Sequence, residues 1–137
     1  MDVHETELTQ GECVALGIDV DTLQLATRAS RERYWRCRLG VRGLLQRREV
    51  SGDEVEILVG HLTFLALVRR ELLSVFHTVY RFMRKMKGHR GSLWKAVREE
   101  LEAFLGLMPY LHNDWTLPWA VGMYSYDASL TGYGVSY

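Results

Sequence analysis

The sequence predicts an α+β fold that is mostly α: a small bundle of about four helices flanked by an N-terminal β-hairpin and a C-terminal β-hairpin. The first observation behind this is the stretch Gly60–Phe82, GHLTFLALVRRELLSVFHTVYRF, which lies inside a long apolar series. Val55, Leu58, Leu62 and Leu65, then Leu72, Phe76, Val79, Met83 and Met86, recur in steps of three and four, interrupted once at Arg69. That is the spacing of one buried helix face. The second observation is the alternation of apolar and polar residues over 12–26, and the third is the shift to β composition after Pro118.

A single helix over 51–86 would be about 50 Å long at about 1.5 Å per residue. A compact chain of this length has a radius of gyration of only about 14 Å. The series therefore has to break, and the sequence predicts two helices that meet near Arg69–Glu71 and fold against each other. Val59, Phe64, Leu67, Val68, Val75, Tyr80 and Phe82 lie off the stripe, too many apolar residues for a simple coiled-coil seam.

The chain has 137 residues, 47% of them hydrophobic, which is one domain's worth and enough to bury a core. Cys13 and Cys37 form neither a metal-ligand pair nor a disulfide framework, so the expected setting is reduced and intracellular, cytoplasmic or nuclear. The acidic opening MDVHETE lacks the basic and apolar regions of a signal peptide. The longest apolar runs, such as Leu65–Val68, are too short to span a membrane, so no membrane partner is expected.

The formal net charge of zero conceals a segregated distribution. Residues 1–27 hold six acids and no Lys or Arg, whereas residues 28–48 hold eight arginines against Glu32 alone. Residues 72–98 hold seven Lys and Arg and no acid. Two basic segments separated in this way point to a polyanion partner; the competing reading is two solvated helix faces.

Taken in order, Val14, Leu16 and Ile18 alternate, Asp19–Asp21 supply turn chemistry, and Leu23 and Leu25 alternate again, which predicts a hairpin. Asp19-x-Asp21 reads as turn residues rather than a metal pair. Ser30 is placed to cap a helix reaching about Arg48, with Tyr34, Cys37, Val41, Leu44 and Leu45 as its apolar stripe. Arg33, Arg36 and Arg47 share the opposite face with Gly40 and Gly43. A surface free of side chains and lined by arginines admits a phosphate backbone, or equally a neighbouring helix. Ser51-Gly-Asp-Glu54 has the capping-box pattern that starts the next helix. Lys87–Gly91 is a basic loop, and Ser92 opens a fourth helix with Trp94, Val97, Leu101, Phe104, Leu105 and Met108 on one face, ended by Pro109. His61 and His77 share no helix face, which argues against zinc, and His77 belongs to a polar side with Arg81 and Arg84. Beyond Trp119 a strand segment is closed by Asp127 and followed by a Gly-x-Gly turn, and the second strand of that hairpin is cut short at Tyr137.

The order of these pieces resembles the downstream half of a retroelement reverse transcriptase, of the retrotransposon and pararetrovirus type, entering its ribonuclease H domain. The residues that carry the resemblance are Leu16-Gly17, the basic helix, Leu58–Arg70, Trp94 with Glu100-Leu101, Pro118-Trp119, and Asp127-Ala-Ser-x-x-Gly-x-Gly134. The resemblance implies three parts: 1–27 as the end of the palm with a primer-grip-like hairpin, 28–112 as a helical thumb and connection, and 113–137 as the start of the ribonuclease H domain. It places Leu16 and Gly17 in the primer-grip hairpin and Arg33, Arg36 and Arg47 along the backbone of a template–primer duplex or RNA/DNA hybrid. It makes Asp127 the first catalytic carboxylate and a ligand of Mg2+. The remainder of the polyprotein is the implied protein partner.

Two departures limit what this chain does alone. No Asp-Asp pair occurs, so the Tyr-x-Asp-Asp motif of an RNA-directed DNA polymerase is missing, and the later ribonuclease H carboxylates are missing too. Two-metal chemistry needs several carboxylates to fix both ions, so a nucleic-acid-binding part without its own catalysis is expected. The alternative is a non-enzymatic helical protein-interaction module. A helix-turn-helix DNA reader is disfavoured, because no compact polar recognition helix follows residues 60–69.

Overall fold

The computed structural model describes residues 11–15, 17–118, 121–122, 125–129 and 132–136. Leu16, Trp119 and the acidic residues 1–10 lie outside them, as do the side chains of the last two strands. Along the chain come β1 (Glu12–Ala15), β2 (Ile18–Asp21), β3 (Ala26–Ala29), α1 (Arg31–Gln46), β4 (Val50–Ser51) and α2 (Gly52–Ala66). A 3-10 segment (Arg70–Val75), α3 (Thr78–Lys85), β5 (Arg90–Gly91) and α4 (Lys95–Leu107) follow, then a 3-10 turn (Met108–Tyr110), β6 (His112–Asp114), β7 (Ser125–Ser129) and β8 (Gly132–Ser136). The fold is α+β and mostly helical, with antiparallel strands towards both ends, as the sequence predicts.

The N-terminal strands differ from the expected hairpin in register. The tight turn lies at Gly17, whose φ of +76° suits glycine, and not at Asp19. Asp19 pairs with Arg28 inside the β2–β3 ladder. Asp21 is the turn residue: its buried carboxylate accepts the N–H groups of Leu23 (3.0 Å) and Gln24 (2.8 Å), with Arg28 at 3.5 Å. Leu23 and Leu25 sit in that turn rather than on a strand. The meander gains a fourth strand from far along the chain, because β6 pairs with β3, Arg28 opposite His112. The 27/28 and 112/113 boundaries drawn from the sequence thus fall inside paired strands.

The four helices close a ring, each packing on the next and α4 returning to α1. Cys37, Val41 and Leu44 face inward from α1, Val55, Val59, Leu62 and Leu65 from α2, Val79 and Phe82 from α3, and Val97, Leu101 and Phe104 from α4. Val59 and Phe82, assigned off the stripe from sequence, are fully part of the core, while Leu58, Met83 and Met86 are only partly buried. Phe76 stacks on Phe104 at 4.9 Å and Phe82 meets Trp94 edge-on at 5.2 Å. Two arginines of the basic segments are used to close the ring, Arg98 donating to the Leu45 carbonyl (2.8 Å) and Arg38 to that of Leu105 (3.3 Å).

The apolar series breaks near Arg69–Glu71 as predicted, but the two helices do not meet there: a 3-10 segment over 70–75 lies between the end of α2 at Ala66 and the start of α3 at Thr78. The capping box is complete: Ser51 Oγ accepts the Glu54 N–H (3.1 Å) and Glu54 accepts the Ser51 N–H (2.8 Å). Ser30 occupies the N-cap of α1 without a side-chain hydrogen bond. The fourth helix starts at Lys95, later than Ser92, because Trp94 stays extended at the N-cap while its ring packs on Phe82. The α3 N-terminus is capped from another helix: Glu100 of α4 accepts the N–H groups of Thr78 (2.6 Å), Val79 (2.9 Å) and His77 (3.3 Å). No helix among the described residues is long and apolar enough to cross a membrane.

Candidate functional site

The arginines and glycines singled out on α1 recur at 33, 36, 40, 43 and 47, a spacing that keeps them along one side of the helix. All five line a single groove of about 540 Å³ between α1 and α2. Cys37, Leu39 and Leu44 complete the α1 wall, and Glu54, Ile57, Leu58 and His61 form the α2 wall. The two glycines differ in role. A Cβ at Gly40 would sit 3.1 Å from Leu58 Cδ1, so Gly40 answers to the packing of α1 on α2. A Cβ at Gly43 would meet nothing within 4 Å, so Gly43 leaves the groove bare without any need of the core for it.

Arg33 is clamped. Its Cζ lies 4.1 Å from the centre of the Phe64 ring, a cation–π contact. On its other side is the β1–β2 turn, where a Cβ on Gly17 would come within 3.3 Å of Cζ. Gly17 and Arg33, chosen from sequence for separate reasons, are therefore neighbours; Leu16 lies outside the described residues. Arg36 pairs with Glu32 one turn earlier, and both side chains are largely exposed. Arg47 reaches Glu54 of α2 at 2.9 Å, and Arg90 reaches the same carboxylate at 3.4 Å.

That shared carboxylate is the junction of the site. The β4–β5 pair sets Ser51 opposite Arg90, which brings the second basic segment to the start of α2. The Ser51 N–H, then the Arg90 and Arg47 guanidiniums, hold the Glu54 carboxyl below its ordinary value. Past Arg90, Arg84 and Lys87 line a smaller hollow of about 340 Å³ with Glu56, Tyr80 and Met83. Arg33, Arg36 and Arg47 thus line the α1/α2 groove, Arg90 joins Arg47 on Glu54, and Arg84 and Lys87 line the second hollow, with Glu54 and Glu56 among these cations. Glu54, Phe64 and Arg90 were not among the site residues read from sequence. The capping box marked Glu54, and Phe64 was visible as an apolar residue off the stripe.

His77 is exposed at the N-cap of α3, where its N–H is taken up by Glu100. Asp127 stands in the middle of β7, not at its end, opposite Gly134 of β8. Residues 125–136 contain no other carboxylate, so the hairpin does not fit a two-metal Mg2+ site on its own. Among the described residues, no group of three His, Cys, Asp or Glu is placed to hold a metal ion. No family model, curated protein or solved structure matches the chain.

Proposed function

We propose that the chain is the template–primer-binding part of a retroelement reverse transcriptase/ribonuclease H polyprotein. It grips an RNA/DNA hybrid or duplex by its backbone and catalyses neither polymerisation nor hydrolysis by itself. The observation that carries this reading is the meeting of Arg47 and Arg90 on Glu54, which joins two basic segments remote in sequence into one surface. A duplex backbone carries closely spaced phosphates, and a line of guanidinium and ammonium groups is the complement that positions it without reading bases. The bare floor at Gly43 lets such a backbone approach α1 closely. Arg36 is held only by an exposed partner, and exposed ion pairs contribute about 0–1 kcal/mol, so a phosphate can replace Glu32 at little expense.

The test is binding of an RNA/DNA hybrid across a salt series. Affinity is expected to fall linearly on a log–log plot, with a slope of about 0.9 per phosphate neutralised on a B-form duplex. Reversing Arg36, Arg47, Arg84 and Lys87 to Glu makes the slope shallower by about 0.9 for each phosphate that is no longer neutralised. Arg33 is left in place there because Phe64 and Gly17 pack on it. Retention that is the same at low and moderate salt, or an undiminished affinity after charge reversal, rules the reading out.

A further inference from the structure

We infer that the apolar floor of the α1/α2 groove docks an amphipathic helix of a protein partner, apolar along one face and acidic at both ends. Leu39 and Ile57 face the groove from opposite walls, yet they are 62% and 67% exposed. Leu58 and Leu44 lie beneath them, and Gly40 and Gly43 keep the floor clear of side chains. A phosphate backbone can use the arginines and the open space at Gly43 but gains nothing from Leu39 and Ile57, whereas a row of apolar side chains spaced by three and four residues covers them. From Arg33 to Arg47, α1 rises about 21 Å at about 1.5 Å per residue, room for about four helical turns.

Charge decides the occupant. Arg33 and Arg36 stand at one end, Arg47 at the other and His61 along the α2 side, and Glu54 is the one acid among the described lining residues. A basic-ended helix meets like charge at both ends and an acidic-ended one meets opposite charge, which gives specificity and register. This goes beyond nucleic-acid binding and rests on residues that reading does not use, Leu39 and Ile57, beside the shared Arg36 and Arg47. The hybrid depends on Arg84 and Lys87, which lie outside the groove, whereas the helix depends on Leu39 and Ile57. Both ligands draw on Arg36 and Arg47, so each displaces the other.

The experiment uses the full chain and two synthetic helical peptides of about four turns. They share a Leu/Ala face and differ in ending with Glu or with Lys, and binding is read by fluorescence anisotropy. The Glu-ended peptide is expected to bind at least about tenfold more tightly than its Lys-ended twin. Leu39→Ser with Ile57→Ser is expected to weaken it by at least about tenfold. Because both residues are exposed, the melting temperature of that variant stays at the wild-type value. Arg84→Glu with Lys87→Glu weakens binding of the hybrid and leaves that of the peptide unchanged. Equal binding of the two peptides overturns the inference, as does binding that survives the Leu39 and Ile57 changes. A self-associated chain that becomes monomeric in Leu39→Ser/Ile57→Ser overturns it too, since the occupant is then a second copy.

Discussion

Replacing Glu100 tests whether α3 is held in place by α4. The Glu100 carboxylate takes three N–H groups at the α3 N-terminus, at 2.6, 2.9 and 3.3 Å. Val79, which supplies one of them, is fully buried. Losing a helix N-cap costs about 0.5–2 kcal/mol, and an ionised acceptor with two short bonds puts Glu100→Ala at the upper end, about 2 kcal/mol. For a chain of this size each kcal/mol moves Tm by about 3–5 °C, so Glu100→Ala melts about 6–10 °C lower by circular dichroism. Glu100→Gln keeps one acceptor oxygen and loses about half of that. The pH dependence supplies a second arm. Partial burial pushes the carboxyl up, but the N–H groups of Thr78, Val79 and His77 outweigh it and hold the group below its ordinary value of 4.5. A depressed pKa in the folded state means stabilisation that is complete above 4.5 and is lost as pH falls through the folded value. The gap between wild type and Glu100→Gln should therefore narrow on acidification below 4.5. A Tm for Glu100→Ala indistinguishable from wild type, or a gap that stays constant into strong acid, refutes the cross-helix cap.

Three glycine substitutions separate packing from binding. At Gly52 a Cβ would lie 2.5 Å from the Met83 carbonyl oxygen and 2.6 Å from the Met86 carbonyl carbon, both main chain that cannot step aside. Gly52→Ala is expected to destabilise by about 1–3 kcal/mol, measured by urea titration, whereas at Gly91 the close atom is the flexible end of Met86 and Gly91→Ala is milder. Gly43→Ala meets open space and should stabilise α1 by about 0.8–1 kcal/mol through helix propensity. If ligands use the bare floor, the same variant binds hybrid or peptide more weakly despite its higher Tm; unchanged binding removes Gly43 from the site.

The parts of the fold that were legible in the sequence are those whose signals are local. The three-and-four spacing of Val55, Leu58, Leu62 and Leu65 marked α2, that of Val79 and Met83 marked α3, and Ser51 with Glu54 marked where α2 begins; Leu72 and Phe76 continue the spacing but lie in the 3-10 segment and at its end. The excursion at Arg69 marked the break. What was not legible depends on distant partners. Nothing in His112–Asp114 announces pairing with β3, because three exposed polar residues carry no alternation to fix a register. The first hairpin slipped because Asp19 and Asp21 have the same turn chemistry on paper, and only burial and the two N–H bonds to Asp21 decide between them. The site was half legible. Arg33, Arg36 and Arg47 were grouped correctly by helical geometry, but the wall they face was not. Leu39 and Ile57 carried a signal that went unused, since each is apolar at a position off its helix's buried stripe.

Glu54 shows why fold and site are hard to separate in this chain. Its carboxylate begins α2 by accepting the Ser51 N–H, and the same two oxygens gather Arg47 and Arg90. Ser51 also lies in the strand pair that brings Arg90 alongside. One acid therefore helps set the helix start and receives both guanidiniums, while the strand pair brings the second basic segment to it. Two guanidiniums drawn to one place repel each other, and the carboxylate between them offsets that repulsion. Counted over sequence, Glu54 merely subtracts from the basic charge; placed in the fold, it is where Arg47 and Arg90, from two separate charge runs, meet.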